Sequence, residues 1–220
     1  MLRADVHVHT CFSPDSSTSL ERLAARCLRV GLGCVAITDH NTIRGALEMQ
    51  QRAPFLVIVG EEVKSAQGEI IGLFLKEEVP RGLPARETVE RIREQGGLVS
   101  IPHPFDALRR SVIAPVALEQ VLPLADIVEA FNARNIFAGA NRRAAELAQR
   151  HGLAASAVSD AHTLGELGRT YVEMSEFDGT PAGFLASLRR GALVTRASSP
   201  LVHLFSTYNK VLRRFSRRGG

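Results

Sequence analysis

The chain has 220 residues, of which 45% are apolar and 23% charged, and its formal net charge is +4. This length suits one αβ domain, and the absence of a long apolar run or a secretory pattern argues against a membrane span or signal peptide. The cysteines Cys11, Cys27 and Cys34 are odd in number and contain no CxxC pair, which argues against a disulfide framework. We therefore expect a reduced, cytoplasmic protein.

Short β-branched runs alternate with helical stretches along the chain, a pattern typical of successive βα units. The predicted strands are Ala4–His9, Cys34–Thr38, Phe55–Gly60, Glu69–Leu75, Leu98–Pro102, Ile127–Phe131 and Ala154–Val158. The predicted helices are Ser19–Val30, Ile43–Gln51, Ala85–Gln95, Pro115–Val121 and Ala138–His151. Seven strands indicate an α/β barrel, and it should be irregular because Val63–Gly68 leaves room for a hairpin turn but no helix.

The predicted barrel spans residues 1–170, and residues 171–220 form a C-terminal segment, with a helix near Pro181–Arg190, that we expect to wrap around it. The chain ends in a basic cluster that consists of Lys210, Arg213, Arg214, Arg217 and Arg218. Such a tail can bind nucleic acid or anionic lipid, but a solvated chain end is the favoured interpretation. With 5% aromatic residues, the sequence shows no stacking platform for a single strand.

Imidazoles and carboxylates follow the predicted strands where those strands end. Five of the seven histidines lie there, several with a carboxylate beside them. These residues are His7, His9, His40, His103 and His162, with Asp39, Glu61, Glu62 and Asp160. Because parallel strands gather their carboxyl ends at one face, we expect these side chains to converge on one mouth. The mixture of ligands indicates a metal site with more than one ion.

His7 and His9 are two residues apart on a strand, so both imidazoles project to the same side. Asp5 points the same way and is predicted to orient a ligand imidazole by accepting its second N–H. Two imidazoles on a core face need a partner to justify their burial, which argues against chance histidines on an exposed edge strand.

Other positions allow more than one interpretation. Asp15 lies among turn-forming residues, and taken alone it is more typical of an Asx-turn or a helix cap than of a metal ligand. For Asp39 we favour a supporting contact or a helix cap over direct ligation. Glu61 and Glu62 point to opposite sides of their strand, and periodicity does not choose between them.

His103 stands between Pro102 and Pro104, which restrict the backbone and help to aim the ring. Asp160 and His162 repeat the spacing of His7 and His9 after the last strand. Arg134 follows the sixth strand, where a cation could clamp a substrate phosphate, although a surface salt bridge agrees equally well with its position.

Five motifs together resemble the polymerase and histidinol phosphatase (PHP) family of metallophosphoesterases over roughly residues 2–170. These motifs are DVHVHT, ITDHNT, GEEV, PHP at positions 102–104, and SDAH. The resemblance implies an irregular (β/α)7 barrel that binds two or three transition-metal ions at the strand C-termini and hydrolyses phosphoesters. Imidazole and carboxylate ligands without thiolate agree with manganese, iron or zinc.

The resemblance also implies a role for each matching position. The ligands of one ion are matched by His7, His9, Glu62 and Asp160, with Glu62 at the bridging position, and His103 matches a ligand of the second ion. The third ion is matched by Asp15, His40 and His162. One position departs from the pattern, because many members carry a further histidine on the strand that here begins Gly68-Glu69-Ile70. Either Glu69 replaces it as an oxygen ligand or the second ion is weakly held.

The leading functional hypothesis is a metal-dependent phosphatase that hydrolyses a phosphate monoester of a small metabolite or nucleotide through a metal-bridging hydroxide, with Arg134 binding the phosphate. A nuclease or phosphodiesterase that trims oligonucleotides is the second, although the modest positive charge disfavours a long nucleic-acid track. A non-catalytic PHP interaction module is the third, and there several ligands should be lost. Substrate identity and oligomeric state stay open.

Overall fold

The computed structural model describes residues 1–202 and 204–209. The basic cluster from Lys210 to Arg218 lies outside these residues, so its role remains a prediction. The described residues include the helices α1 (Leu20–Val30), α2 (Arg44–Arg52), α3 (Ala85–Glu94), α4 (Pro115–Val121), α5 (Ala138–His151) and α6 (Pro181–Leu188). A 3-10 turn covers Leu122–Leu124, and residues 204–209 are helical.

The strands are β1 (Leu2–Val8), β2 (Cys34–Ile37), β3 (Leu56–Ser65), β4 (Gly68–Leu73), β5 (Leu98–Ile101), β6 (Ile127–Asn132), β7 (Ala154–Val158), β8 (Tyr171–Met174) and β9 (Ala192–Val194). They form one sheet in the order β7-β6-β5-β4-β3-β2-β1-β8-β9. A parallel bridge between Val8 and Ala161 brings the end of β7 alongside β1. The sheet therefore nearly closes on itself, and the predicted irregular α/β barrel is confirmed.

Strand β4 accounts for the irregularity, because it runs antiparallel to both β3 and β5 while the strands from β1 to β3 and from β5 to β7 are parallel. The hairpin turn is shorter than predicted, since pairing continues to Ser65 and Gly68. A turn was expected because the segment is too short for a helix, but Val63 and Ile70 are both buried in the core and extend the two strands.

The segment after residue 170 adds two strands to the sheet and a helix beneath it. Strand β8 pairs antiparallel with β1, on the side opposite β2, and β9 pairs with β8. Phe184 of α6 is fully buried, with its ring 5.5 Å from that of Phe74 and 5.4 Å from that of Phe177. This segment thus contributes to the core, and a domain boundary at residue 170 remains a proposal.

Helix α1 shows how the sequence fixes the outer layer. Leu20, Leu23 and Cys27 share one face and are buried against the barrel. The side chain of Ser19 accepts a hydrogen bond from the backbone N–H of Arg22, and Gly31 ends the helix in a left-handed conformation at φ 72°. None of the helices formed by the described residues has the length and apolar character that a membrane span requires.

Candidate metal centre

Four of the predicted ligands form a compact group at the bottom of the mouth, called the deep group here: His7, His9, Glu62 and Asp160. The Nε2 atoms of His7 and His9 lie 2.9 Å apart, and Oε2 of Glu62 lies 3.5 and 3.4 Å from them. Oδ1 of Asp160 lies 3.6 Å from each. Because bonds of about 2.1 Å place the ligand atoms of a tetrahedral ion roughly 3.4 Å apart, the atoms of His7, His9 and Glu62 suit one ion, and Oδ1 of Asp160 lies beside both imidazoles.

A second group lies nearer the surface and is formed by Asp15, His40 and His162. The two carboxylate oxygens of Asp15 lie 3.3 Å from Nε2 of His40 and 3.4 Å from Nε2 of His162. Since Ser19 caps helix α1, Asp15 is not the helix cap that its sequence context also suggested. The side chain faces the two imidazoles instead, and its role as a ligand remains a prediction.

A third group, called the outer group here, consists of Glu62, Glu69 and His103. Nε2 of His103 lies 3.0 Å from Oε1 of Glu62 and 3.7 Å from Oε2 of Glu69. The side chain of Glu69 therefore points into the mouth from the strand on which the resemblance implies a histidine. Oε2 of Glu62 faces the deep group and also lies 3.0 Å from Nδ1 of His40, whereas Oε1 faces His103, so this carboxylate stands between the groups as a bridging ligand would.

Buried carboxylate oxygens without a hydrogen bond support metal binding here. Oε2 of Glu62, Oε2 of Glu69 and Oδ1 of Asp160 are buried and accept no hydrogen bond. An ionised oxygen without a donor is costly to bury, and a cation removes that cost. Together with the imidazoles around them, these oxygens form a donor set that fits divalent ions.

The backbone is strained where it aims these side chains. Among the described residues, four that are not glycine have positive φ: Asn41 at 54°, Phe74 at 62°, His103 at 30° and Asp160 at 52°. Two of the four are candidate ligands and Asn41 follows another, His40. Such conformations persist only where the surroundings enforce them, and they concentrate at functional sites.

Glu129 of β6 fixes the orientation of a ligand and was missed by the sequence analysis. Its Oε1 lies 2.5 Å from Nδ1 of His7, and its Oε2 accepts hydrogen bonds from the backbone N–H of His103 (2.9 Å) and from Nδ2 of Asn132 (2.9 Å). A carboxylate on one ring nitrogen leaves the other free for a metal ion. A lone acidic residue in the apolar run Ile127–Phe131 was the available signal.

The prediction that Asp5 orients a ligand imidazole was wrong. Oδ1 of Asp5 accepts a hydrogen bond from the backbone N–H of Ser159 at 3.1 Å, so this side chain fastens the end of β7 to β1. The pairing of β1 with β2 shifts register between Asp5 and Val8. Asp5 therefore does not stand in line with the imidazoles, and Glu129 takes the role instead.

Asp39 supports the site without joining a candidate ligand group. Its Oδ1 accepts hydrogen bonds from the backbone N–H of Thr10 and from Oγ of Ser13, each at 2.7 Å, and Ser13 Oγ lies 3.0 Å from Nδ1 of His9. This agrees with the supporting contact that we favoured. Glu61 faces away from the mouth and accepts the N–H of Val79 at 2.8 Å.

Burial and neighbouring charges move the pKa values of the deep group in opposite directions. Burial alone would lower the pKa of His7, but the carboxylates around it, led by Glu129, hold that pKa well above its usual value. Burial and the neighbouring His162 hold the pKa of His9 well below its usual value. The pKa of Asp160 is also low, because Arg109 and His7 outweigh its burial. An ion that binds His7 must therefore displace a proton.

Arg134 is buried, so the surface salt bridge that its position also allowed is not what it forms. Its Nη1 lies 3.4 Å from Oε1 of Glu166 and 3.4 Å from the carbonyl oxygen of Asp160, and its Nη2 donates to Oγ of Ser206 at 2.7 Å. It lines a cavity of about 360 Å³ that opens over the candidate ligands. The other lining residues are Asp15, His40, Lys64, Glu69, Leu108, Arg109, Arg110, Ser111, His162, Ser206 and Thr207.

The chain matches the PHP domain family model over residues 5–111 and the PHP-associated model over residues 138–193. Two uncharacterized proteins of Methanocaldococcus jannaschii are similar to it. One is 40% identical over 146 residues, which cover 60% of this chain and 82% of that protein. The other is 35% identical over 197 residues, with coverage of 86% and 79%.

Solved structures share the fold at low sequence identity. A Bacteroides vulgatus two-domain protein containing a predicted PHP-like metal-dependent phosphoesterase superposes with a TM-score of 0.66 at 20% identity, covering 87% of this chain and 64% of that one. A lesion-specific endonuclease from Pyrococcus furiosus superposes with a TM-score of 0.62 at 14% identity, covering 90% and 59%. This chain thus spans less than two thirds of each of these two proteins.

Proposed function

The chain belongs to the PHP domain family, and on this premise we propose that it is a metal-dependent phosphoesterase that hydrolyses a phosphate monoester of a small metabolite or nucleotide. The observation that carries the proposal is the shared carboxylate of Glu62. Its two oxygens face the deep group and His103 separately, as expected for a side chain between two ions. Divalent ions bound there would supply Lewis-acid activation of water and of the phosphate.

The protein's own residues would orient the substrate. Arg134 is fixed on one wall of the cavity by Glu166 and Ser206, so its guanidinium is already in place to bind phosphate oxygens. The volume of about 360 Å³ lies at the small end of the range usual for small-molecule sites. We therefore favour a small monoester over a long polymer.

The ligand set argues against a non-catalytic interaction module. All eight side chains that match the family's ligands face one mouth, whereas a module that has lost catalysis is expected to lose several of them. Manganese, iron and zinc all agree with the donor types.

Phosphate release tests the proposal directly. The stripped protein is reloaded with manganese, iron or zinc and offered nucleotides, sugar phosphates, histidinol phosphate, an aryl phosphate, a bis-aryl phosphate and a short oligonucleotide. We expect release from a monoester that depends on the metal, with ions measured in the same preparation. Cleavage of the diester and oligonucleotide alone would instead establish the nuclease hypothesis, and stable metal binding without any cleavage would establish the non-catalytic one.

A further inference from the structure

Asp160 offers only one of its two carboxylate oxygens to the deep group. Oδ1 faces the imidazoles of His7 and His9 at 3.6 Å and accepts no hydrogen bond. Oδ2 is engaged on the other side, by a close ion pair with Nη2 of Arg109 and by a hydrogen bond from Nδ2 of Asn132 at 3.1 Å. The two oxygens of one side chain thus have separate tasks.

The position of Arg109 is itself fixed by the loop that follows His103. Asp106 accepts a hydrogen bond from Nε of Arg109 at 3.2 Å, and its own backbone N–H donates to the carbonyl of His103 at 3.2 Å. Arg109 is about four-fifths buried, with 17% of its side chain exposed. The loop that carries an outer-group ligand therefore also reaches across to hold a deep-group ligand.

We propose that Arg109 is a positioning residue for the metal centre, which, together with Asn132, holds Oδ2 of Asp160 so that Oδ1 alone is presented to an ion. The proposal rests on the proposed metal centre and adds a residue to it. A carboxylate left to rotate would be free to offer either oxygen or both, and it would lose the fixed direction that a strained backbone and two donors now impose. Supporting partners of this kind are typically worth about 10–100-fold in metal affinity.

Charge repulsion alone predicts that removing Arg109 changes the metal affinity in the opposite direction, which makes the proposal testable. Arg109 is a cation next to a site for cations, so if it acted only through its charge, its removal would strengthen metal binding. If it acts by holding Asp160, its removal weakens binding. Arg110 is the matched control, because it lines the same cavity on the same loop, is exposed, and forms no ion pair with any described residue.

The experiment measures Zn²⁺ and Mn²⁺ affinity by competition with a chromophoric chelator, using the full chain stripped of metal. We expect Arg109→Met to weaken the tightest site about 10–100-fold and Arg110→Met to leave it unchanged or slightly stronger. When Asp160→Asn is already present, Arg109→Met should lower the metal affinity little further, since Arg109 acts through that carboxylate. The metal affinity of Arg109→Lys should lie between those of the wild type and Arg109→Met, because an ammonium group keeps the charge but lacks the planar, two-pronged guanidinium.

Unchanged or tighter binding in Arg109→Met would overturn the proposal, and so would equal losses in the Arg109 and Arg110 variants or full additivity with Asp160→Asn. Circular dichroism checks folding, and if Arg109→Met does not fold, Arg109→Lys decides: affinity equal to wild type then rejects the proposal. A wild-type chain that binds no metal would overturn the proposed function as well. Normal metal-dependent hydrolysis with unaltered affinity in the variants would overturn only the role of Arg109.

Discussion

The deep group and the outer group share Glu62 but are built differently. The deep group takes its two imidazoles from the end of β1 and the residue just after it, and all four side chains are excluded from solvent. The outer group takes Glu69 from a hairpin strand and His103 from a strained loop, and Glu69 lines the open cavity. The side chains of both groups are buried, but the outer group is richer in oxygen and borders the cavity, which favours harder ions and leaves its ion nearer to solvent. We therefore expect one firmly held ion and a second that is held more loosely.

Removing a deep-group imidazole should have the largest effect. His9→Ala takes away one of the four converging donor atoms, so we expect loss of the tightest ion and a fall in kcat/KM greater than the roughly 10–100-fold seen when a supporting residue is removed. Metal analysis after chelation and kinetics after reloading check this. Wild-type activity in that variant would contradict the metallohydrolase interpretation.

Arg134→Ala should impair the reaction with substrate without impairing metal binding. We expect metal content to stay at the wild-type level while kcat/KM falls roughly 30- to 1,000-fold. This corresponds to a loss of about 2–4 kcal/mol of transition-state stabilisation. Arg142→Ala, on the exposed face of helix α5, is the control. Unaltered kinetics would assign Arg134 a purely structural role with Glu166.

Glu129→Gln should weaken the deep group more than the outer group. The neutral amide keeps the shape of the side chain but loses the charge that supports His7, so metal affinity at the deep group should fall by about 10–100-fold. Chelator competition measures it. The outer group contacts Glu129 through the backbone N–H of His103. Equal losses of metal affinity at the two groups would mean that Glu129 stabilises the structure of the whole site and not His7 in particular.

Glu69→His should produce the smallest change and should act mainly on the outer group, since Glu69 lies 3.7 Å from His103 and 3.9 Å from His40. Exchanging a carboxylate for an imidazole replaces a hard ligand by a borderline one, so the preference for Mn²⁺ over Zn²⁺ should decrease a few-fold. Anomalous scattering from crystals soaked in each metal shows which group has responded. A full outer site in the wild type with Glu69 turned away would show that another residue completes it.

Local patterns in the sequence predicted the barrel, because strands and helices follow from short-range periodicity. They also placed several candidate ligands near strand ends, although Glu62 lies within β3 and Asp15 in a loop, and the ligand roles remain predictions. The contacts that support the ligands were harder to predict. Glu129 and His7 are 122 positions apart, and Asp160 and Arg109 are 51 apart, so neither pair belongs to any local periodicity. The role expected of Asp5 went to Glu129 for a related reason, because a register shift within β1 does not show in the alternation of its residues.

The hydrogen bond between Ser206 and Arg134 has a practical consequence for the choice of a C-terminal truncation point. The PHP-associated match ends at residue 193, and a chain cut there would keep every candidate metal ligand. It would lose Ser206 and Thr207 from the cavity wall, along with the hydrogen bond from the N–H of Ser198 to the carbonyl of Ala133. Such a truncated protein should load metal normally and yet turn over its substrate poorly, so family-model limits are an unsafe guide for choosing where to clone.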